Sequence, residues 1–328
     1  MGDTMLDRRH MLLGGAALVL GSPGTAVAQA TYPNKTITII VAGSAGGGTD
    51  IMARLLAEKM HDDLGQTIIV DDRPGGGGNI GSAFVAHAQN DGYTLLMTAG
   101  ALAIAPSVYD KLAYDPIKDL AGVAWVATVP LVVVTKVGNG INSMQELLAL
   151  AKRDGDRLTF GSFGTATPSH LAGESINQLA GTSLRHVPYN RGGAPLDTMS
   201  GAITIAILDA VSTIPLVKAG NLKALAVTGP KRLVALPDIP TLSEAGVPFE
   251  TVGWHAAFAP AGTPAPIIER LNKAFTKALA TPDMRERIVA GGSVPIDPAL
   301  TAAQWEDQFR KDVEGWAKVA RAAKVKIE

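Results

Sequence analysis

The sequence TITIIV-AGSAGGGTD-IMARLLAEKM, residues 36–60, decides the fold and reads as a strand, a loop and a helix in that order. Its first six residues are all β-branched and predict a buried strand. Its last ten residues carry apolar side chains at helical spacing and predict a helix. Between them lies the first loop, residues 42–50, which contains four glycines.

A helix that begins in such a loop exposes backbone N–H groups at the positive end of its dipole, where an anion is favoured. We therefore predict that the first loop holds the carboxylate of a small ligand; a plain tight turn is the alternative. Thr49 or Asp50 would cap the helix from within, and Asp50 is expected to cap rather than contact an anion because like charges repel. The predicted ligand contacts in this loop are Ser44, Ala45, Gly46, Gly47 and Thr49.

The composition argues against several classes of protein. The chain has 328 residues, a formal net charge of −1 and no cysteine. A charge near zero without a run of Lys and Arg argues against nucleic acid as a partner. The absence of cysteine excludes a disulfide framework and a thiol nucleophile. The six histidines show no paired metal-ligand spacing, so neither a metal site nor a cofactor is expected.

The first thirty residues have the pattern of an export signal. Paired arginines precede an apolar run, residues 11–20, and small residues follow it. We interpret residues 1–30 as a signal peptide of the twin-arginine type, cleaved near Ala28 or Ala30. The apolar run is short for a membrane span, and an uncleaved anchor is the alternative. The mature protein is therefore expected in the periplasm.

Strands and helices alternate after the first helix, which is typical of a parallel α/β fold. Strands are predicted at residues 66–70 and 93–98, with a helix at 82–89 between them. The apolar stretch 122–137 is broken by Pro130 and predicts two strands. We place the crossing into a second domain between these two strands.

A second strand–loop–helix unit repeats the arrangement of the first. A strand ends at Ser162, the second loop covers residues 163–170, and a helix is predicted at 171–180. Two such helix ends that face each other across a cleft would hold a dicarboxylate from both sides. The hydroxyl groups here could instead cap their own helix, and His170 could be a packed histidine. The predicted ligand contacts are Ser162, Gly164, Thr165, Thr167 and His170, with Ser169 as a further candidate.

Two charged residues are candidates from the second half of the chain. Asp209 ends a predicted strand and is expected to hydrogen-bond a ligand hydroxyl, a ligand amine or a bridging water. The alternative is that Asp209 caps the helix that starts near Ser212. Arg191 is expected to pair with a carboxylate, or else to be a solvated surface charge.

The order of motifs along the chain points to one family. The motifs are Gly46-Gly47 with Asp50, Arg73-Pro74-Gly75, Gly77-Gly78-Asn79-Ile80-Gly81, Gly161-Ser162 with Gly164, His170-Leu171-Ala172-Gly173-Glu174, His186-Val187-Pro188-Tyr189, Ala224-Leu225-Ala226-Val227-Thr228, Leu236-Pro237-Asp238-Ile239-Pro240-Thr241 and Phe258-Ala259-Pro260-Ala261-Gly262-Thr263-Pro264. With them the chain resembles the substrate-binding proteins of tripartite tricarboxylate transporters, the Bug (TctC-like) family, over nearly all of residues 31–328.

The resemblance implies an α/β protein with the two-lobed type II periplasmic-binding (Venus flytrap) fold. Lobe 1 would comprise residues 31–129 and 254–328, and lobe 2 residues 130–253. The implied function is a solute receptor, not an enzyme. It would bind a small carboxylate as a monomer and deliver it to membrane transporter subunits. The sequence departs from the family pattern at three places. Ala42 and Gly43 stand where Pro-Phe is common in the family, and Ala166 and Asn190-Arg191 also differ from the family's usual residues.

Other functions remain as alternatives. A ligand sensor for a membrane signalling kinase would keep the same fold, because both roles use the closed lobes as the signal. A serine hydrolase is suggested by residues 42–46 and 160–164, which each miss the Gly-x-Ser-x-Gly motif by one residue. Asp209 and His255 would complete the order Ser, Asp, His. A nucleotide site is disfavoured because Thr49 stands where a Walker motif needs lysine.

Overall fold

Two β-sheets with flanking helices make up the residues that the computed structural model describes, 32–189 and 193–326. The strands are β1 Ile37–Val41, β2 Ile68–Asp72, β3 Thr94–Ala99, β4 Leu120–Val129, β5 Leu131–Lys136, β6 Thr159–Ser162, β7 Arg185–Pro188, β8 Ile205–Asp209, β9 Leu222–Val227, β10 Gly253–Pro260 and β11 Val294–Pro295. The helices are α1 Gly48–Leu64, α2 Asn79–Ala86, α3 Ala101–Val108, α4 Met144–Asp154, α5 Pro168–Ala180, α6 Ala194–Ser200, α7 Ala210–Lys218, α8 Ala265–Ala280, α9 Pro282–Ala290 and α10 Ala302–Ala322.

The first sheet has six strands in the order β11-β4-β10-β3-β1-β2. β1 runs parallel to β2 and β3, whereas β10 is antiparallel to β3 and β4. One face of this sheet packs against α1, α8 and α9, and the other packs against α2, α3 and α10. Because helices cover both faces, the inner strands are largely apolar; in β1 every residue except Thr38 is buried.

The second sheet has five strands in the order β7-β6-β8-β5-β9. β6 is parallel to β7 and β8, and β5 is antiparallel to β8 and β9. Its two faces carry separate apolar cores, one with α4 and α5 and the other with α6 and α7. Each sheet therefore has its own hydrophobic layers on both sides.

The chain passes from the first sheet to the second at Pro130 and returns at Gly253, the first residue of β10. The two strands predicted around Pro130 are confirmed as β4 and β5. Proline suits this position because it cannot donate to a sheet ladder and here separates two ladders. Each predicted lobe would contain one of the two sheets. The lobe limits at residues 129/130 and 253/254 stay a prediction.

Some helix predictions were displaced or missing. The helix predicted at residues 82–89 runs instead over Asn79–Ala86, because a 3-10 turn of glycines, residues 76–78, leads directly into it. α3 was missed because it is short, almost wholly apolar and contains Pro106. Such a buried segment shows no amphipathic period.

No helix within residues 32–189 and 193–326 is long and apolar enough to cross a membrane. The predicted signal peptide, residues 1–30, lies outside the described residues.

Candidate functional site

A cavity of about 110 Å3 lies between the loops of the two sheets. On the side of the first sheet it is lined by the first loop with the start of α1, by the glycine turn after β2, by the end of β3 and by the start of β10. On the side of the second sheet it is lined by the second loop, the start of β5 and Asp209. The cavity therefore has walls from both halves of the fold.

The first loop leaves the N-terminus of α1 without a side-chain cap among the described residues. Gly47 is the N-cap residue, and the first backbone bond of the helix joins Ile51 N to Gly47 O at 3.0 Å. The predicted cap by Thr49 or Asp50 is wrong. Asp50 turns back instead and accepts a hydrogen bond from Gly46 N at 2.8 Å, so it braces the loop. Gly47, Gly48 and Thr49 line the cavity.

In the second loop, side-chain hydroxyl groups form hydrogen bonds with the backbone of the same loop. Thr167 caps α5 by accepting a hydrogen bond from His170 N at 3.3 Å, and its Oγ1 donates to Gly164 O at 2.7 Å. Ser169 Oγ accepts a hydrogen bond from Phe163 N at 3.1 Å. Thr167 and Ser169 line the cavity, yet both hydroxyl groups already hold the loop together. The alternative interpretation of these hydroxyls, as caps of their own helix and loop, is therefore present in the structure.

Ser162 lies behind the second loop and does not line the cavity. It is fully buried, and its Oγ lies 2.6 Å from His186 Nε2 and donates to Gly164 O at 3.0 Å. The ring of His186 stacks on those of His170 and Phe160, with centroids 3.9 and 4.9 Å away. Burial, together with the neighbouring His170, lowers the pKa of His186 to about 4. Both Ser162 and His186 therefore support the second loop from within.

His170 also supports the second loop. Its Nδ1 accepts a hydrogen bond from Ala166 N at 3.2 Å. Ala166 has a φ of 60°, in the left-handed region that glycine usually occupies. The bond that Ala166 N donates to His170 helps to hold this conformation without a glycine.

Asp209 joins the two halves of the cavity. It caps α7, because Oδ1 accepts a hydrogen bond from Ser212 N and Oδ2 accepts one from Ser212 Oγ, both at 2.8 Å. The same carboxylate lies against Gly48 at the start of α1, so that a Cβ atom on Gly48 would collide with Oδ1. Only glycine at position 48 permits this approach of the two sheets.

The predicted ligand contacts divide into three groups. Those that line the cavity are Ser44, Gly47, Thr49, Thr167 and Asp209, together with the further candidate Ser169. Those that the structure places outside its lining are Ala45, Gly46, Ser162, Gly164, Thr165 and His170. Arg191 lies outside the described residues. Ligand contact by any of them stays a prediction.

Several cavity residues were not predicted from the sequence. The glycine turn after β2 reaches the second loop, and a Cβ on Gly77 would lie 2.8 Å from Thr165 O. Thr98 and Gly100 come from the end of β3 and the turn after it. His255 comes from β10, and the sequence indicates a role for it only in the alternative of a hydrolase triad. These positions are distant in sequence, so only the pairing of β10 with β3 brings His255 beside Ala99.

Among residues 32–189 and 193–326, no cluster of three or more His, Asp or Glu side chains is arranged to hold a metal ion.

Comparison with protein families identifies the fold and its general role. The sequence model of the family described as "Tripartite tricarboxylate transporter family receptor" matches residues 52–323. The chain belongs to this receptor family. The resemblance seen in its motifs is thus confirmed.

Relatives and solved structures agree with membership of the receptor family. A UPF0065 protein encoded in the TAR-I ttuE-ttuC' intergenic region of Agrobacterium vitis is 38% identical over 304 residues, which is 92% of this chain and 88% of the relative. The structure of the periplasmic binding protein BugD is 32% identical with a TM-score of 0.86, covering 90% of this chain and 100% of that one.

Two further receptor structures contain carboxylates. The Rhodopseudomonas palustris protein MatC, with bound malate, is 29% identical with a TM-score of 0.83, covering 88% of this chain and 99% of that one. The R. palustris protein Rpa4515, with adipate, is 30% identical with a TM-score of 0.85, covering 90% of this chain and 99% of that one. The predicted two-lobed α/β fold is confirmed, and this receptor is a solute-binding protein of a periplasmic family rather than an enzyme.

Proposed function

We propose that this receptor binds a small organic carboxylate in the cavity between the two sheets and delivers it to a tripartite tricarboxylate-type membrane transporter. The observation that carries the proposal is the uncapped N-terminus of α1, which opens onto the cavity. An exposed helix end stabilises an anion by about 0.3–1 kcal/mol, and hydrogen bonds to a charged group add about 1.5–3 kcal/mol each.

The remaining lining suits a small polar ligand. Ser44, Thr49 and Thr98, which carry hydroxyl groups, line the cavity, and its apolar lining includes Leu131 and Phe163. Among the described residues, no Lys or Arg lines the cavity. Backbone N–H groups and hydroxyls would therefore hold the ligand carboxylate. The related structures with malate and adipate support carboxylates as the ligand class.

Closure of the two lobes would present the bound ligand to the transporter. The fit of Asp209 against Gly48 supports this part of the proposal, because it requires the two sheets to approach closely at the cavity. We infer that the receptor acts as a monomer, with lobes 31–129 plus 254–328 and 130–253. It would reach the periplasm after cleavage of its signal peptide near Ala28 or Ala30.

Thermal melts of the mature protein against mono-, di- and tricarboxylates test the ligand class. A ligand at a hundred times its dissociation constant should add about 2.7 kcal/mol of stability. The protein must first be freed of any co-purified ligand by unfolding and refolding. No shift with any carboxylate would contradict the proposal. Uptake of the identified acid by a strain that lacks the gene then tests delivery to the transporter.

Two serines provide a matched control for the site. Ser44 lines the cavity, whereas Ser162 is buried behind the second loop. We expect Ser44→Ala to reduce the ligand-induced shift while the melting temperature without ligand changes little. Ser162→Ala should lower the melting temperature without ligand and leave the ligand-induced shift intact. The opposite pattern would place the ligand elsewhere.

A further inference from the structure

A hydrogen bond inside the first loop encloses the residues that face the cavity. Asp50 Oδ2 accepts this bond from Gly46 N at 2.8 Å. The three residues between them, Gly47, Gly48 and Thr49, all line the cavity. Consecutive glycines have wide conformational freedom, so their N–H groups keep one direction only where the ends of the segment are fixed. The bond between Gly46 and Asp50 therefore fixes the part of the loop that would hold a carboxylate.

The carboxylate of Asp50 has its counter-charge on the same helix. Asp50 is only 4% exposed, and Arg54, one helical turn later in α1, places its Nε 2.6 Å from Asp50 Oδ1. Among the residues that the structure describes, Arg54 is the one cation paired with Asp50. A buried carboxylate without a counter-charge is costly and turns towards water or takes up a proton. Arg54 does not line the cavity, so it would act on a ligand through Asp50 rather than by contact.

Asp72 holds the other side of the Arg54 guanidinium. Nη2 of Arg54 donates a hydrogen bond to Asp72 Oδ2 at 2.8 Å. Asp72 is the last residue of β2 and pairs with Val41, the last residue of β1. Burial, together with the charge of Asp50, raises the pKa of Asp72, while the guanidinium of Arg54 opposes this rise. One guanidinium thus joins two carboxylates from different elements of the first sheet.

Arginine suits this position because its donors form a planar fork. The fork can meet two carboxylates at once, whereas a lysine ammonium is a single point charge on a flexible stem. The side chain of Arg54 is 53% exposed, and an exposed ion pair by itself contributes little to stability. Its partner Asp50, however, is buried and holds the loop. We therefore expect the loss of Arg54 to change the first loop more than the stability of the whole protein.

We propose that Arg54 is a positioning residue for ligand binding: by pairing with Asp50 and Asp72, it keeps the first loop in the conformation that receives a carboxylate. This inference rests on the proposed function, because it assigns what prepares the anion site before the ligand arrives. Arg54 stays outside the cavity and does not contact the ligand. Without it, Asp50 would release Gly46, and the enclosed residues would no longer be held in one arrangement.

Hydrogen exchange of the Gly46 amide tests this positioning without a ligand. In the mature protein freed of ligand, residue-resolved NMR should show about tenfold faster exchange at Gly46 in Arg54→Ala than in the wild type, with the β1 amides unchanged. Arg310→Ala is the control, because it removes a similar pair, with Glu306 one turn earlier in α10, from a side chain that is 49% exposed. It should leave exchange at Gly46 unchanged. Wild-type exchange at Gly46 in Arg54→Ala would overturn the proposal.

Titration calorimetry with malate, adipate and citrate tests the consequence for binding. For the acid that binds the wild type most tightly, Arg54→Ala should lower affinity about tenfold, the effect of losing one charged hydrogen bond to the ligand. In an Asp50→Asn background the same substitution should change affinity by less than about twofold, because Arg54 acts through Asp50. Equal losses in both backgrounds would overturn the proposal. If none of the three acids binds the wild type, the failure lies with the proposed function, and exchange at Gly46 alone decides the role of Arg54.

Arg54→Lys separates positioning from stability. Lysine keeps the positive charge but not the fork, so the melting temperature without ligand should stay near that of the wild type. Affinity for the same acid should remain about threefold or more below the wild-type value. Complete recovery of affinity by lysine would show that charge alone suffices and would overturn the role of the bridge between Asp50 and Asp72. This variant also decides if Asp50→Asn does not fold.

Discussion

The first and second loops are alike in sequence layout and differ in what they do with a helix end. Both follow a strand, both consist of small residues, and both open a helix. α1 begins without a side-chain cap, whereas α5 is capped by Thr167 and begins with Pro168. Proline at the first turn removes one of the N–H groups that a ligand could use.

The difference teaches what glycine and hydroxyl residues each contribute to a strand–helix loop. Glycine has no side chain to accept a hydrogen bond, so the N–H groups of α1 remain for an external acceptor. Threonine and serine in the second loop bond to the backbone around them, so this loop is rigid but has fewer groups to offer. The prediction of two equivalent carboxylate sites therefore reduces, in our proposal, to one anion site at α1 and a supporting wall at α5.

The largest expected effect comes from a side chain at the contact between α1 and Asp209. In Gly48→Ala the new Cβ would collide with the carboxylate of Asp209, so the cavity could not close as it does here. Overpacking costs about 1–3 kcal/mol, which corresponds to about a 5- to 150-fold loss of affinity for the carboxylate that the melts identify. Titration calorimetry measures it, and small-angle scattering would show a larger radius of gyration with ligand present.

Gly315→Ala is the control for this substitution. Gly315 lies within α10, and apart from the backbone of its own helix and its chain neighbours no heavy atom lies within 4 Å of the position that a Cβ would take. Alanine there should raise stability by up to about 1 kcal/mol and leave binding unchanged. Wild-type affinity in Gly48→Ala would show that the ligand does not need this contact.

The second loop should be the more sensitive of the two to pH, because His186 supports it. Burial lowers the folded-state pKa of His186 from its ordinary value of 6.5 to about 4, so between these values the unfolded chain binds more protons than the folded one. Stability contributed by this residue is full above pH 6.5, falls as the pH drops towards 4, and falls no further below it. The slope for one proton is at most about 1.4 kcal/mol per pH unit.

Urea unfolding of wild type and His186→Gln across pH 4–7 measures this contribution. Glutamine keeps a polar group near Ser162, and we expect the variant to lose stability less steeply on acidification. His255 titrates with the same sign in both proteins, so the difference isolates His186. Parallel curves would mean that His186 is protonated as easily in the folded protein as in the unfolded chain.

Removing the α5 cap should lower stability by about 1 kcal/mol, and by about 2 kcal/mol at most. Thr167→Ala deletes the acceptor for His170 N and the donor to Gly164 O, and urea unfolding measures the loss. Thr167→Ser keeps both bonds and should recover most of the stability. If alanine were tolerated as well as serine, the second loop would not depend on its own hydroxyls.

The smallest effect is expected from the Thr49 side chain of the first loop. Thr49→Ala removes a hydroxyl at the cavity but no cap, so the free energy of unfolding should change by less than about 0.5 kcal/mol. Ligand affinity should fall about 2- to 10-fold, the value of one hydrogen bond. Thr67→Ala, an exposed threonine before β2, should change neither quantity. A stability loss as large as that of Thr167→Ala would remove the distinction between the two loops.

Much of the fold follows from local sequence. The β-branched run of β1 and the break at Pro130 each act within a few neighbouring residues, and the structure contains both. α3 was missed because an element that is apolar on every side has no period to detect.

The site followed from sequence only in part. The first loop was found because glycines before a helix have a local physical meaning. The role of Asp50 could not be predicted from the sequence. Its carboxylate could cap its own helix or turn back to Gly46, and the loop geometry decides between the two. The hydroxyls of the second loop could bond to a ligand or to their own backbone, and only packing decides between these partners.

The sequence by itself determined the alternation of strands and helices, the place where the chain crosses between sheets and the family to which the receptor belongs. Its information is local, carried by side-chain periodicity, caps and short motifs. Only the tertiary structure placed Asp209 against Gly48 and brought His255 into the same cavity. Those contacts join residues far apart in the chain, and they depend on how two separately packed sheets meet, which no local pattern of residues encodes.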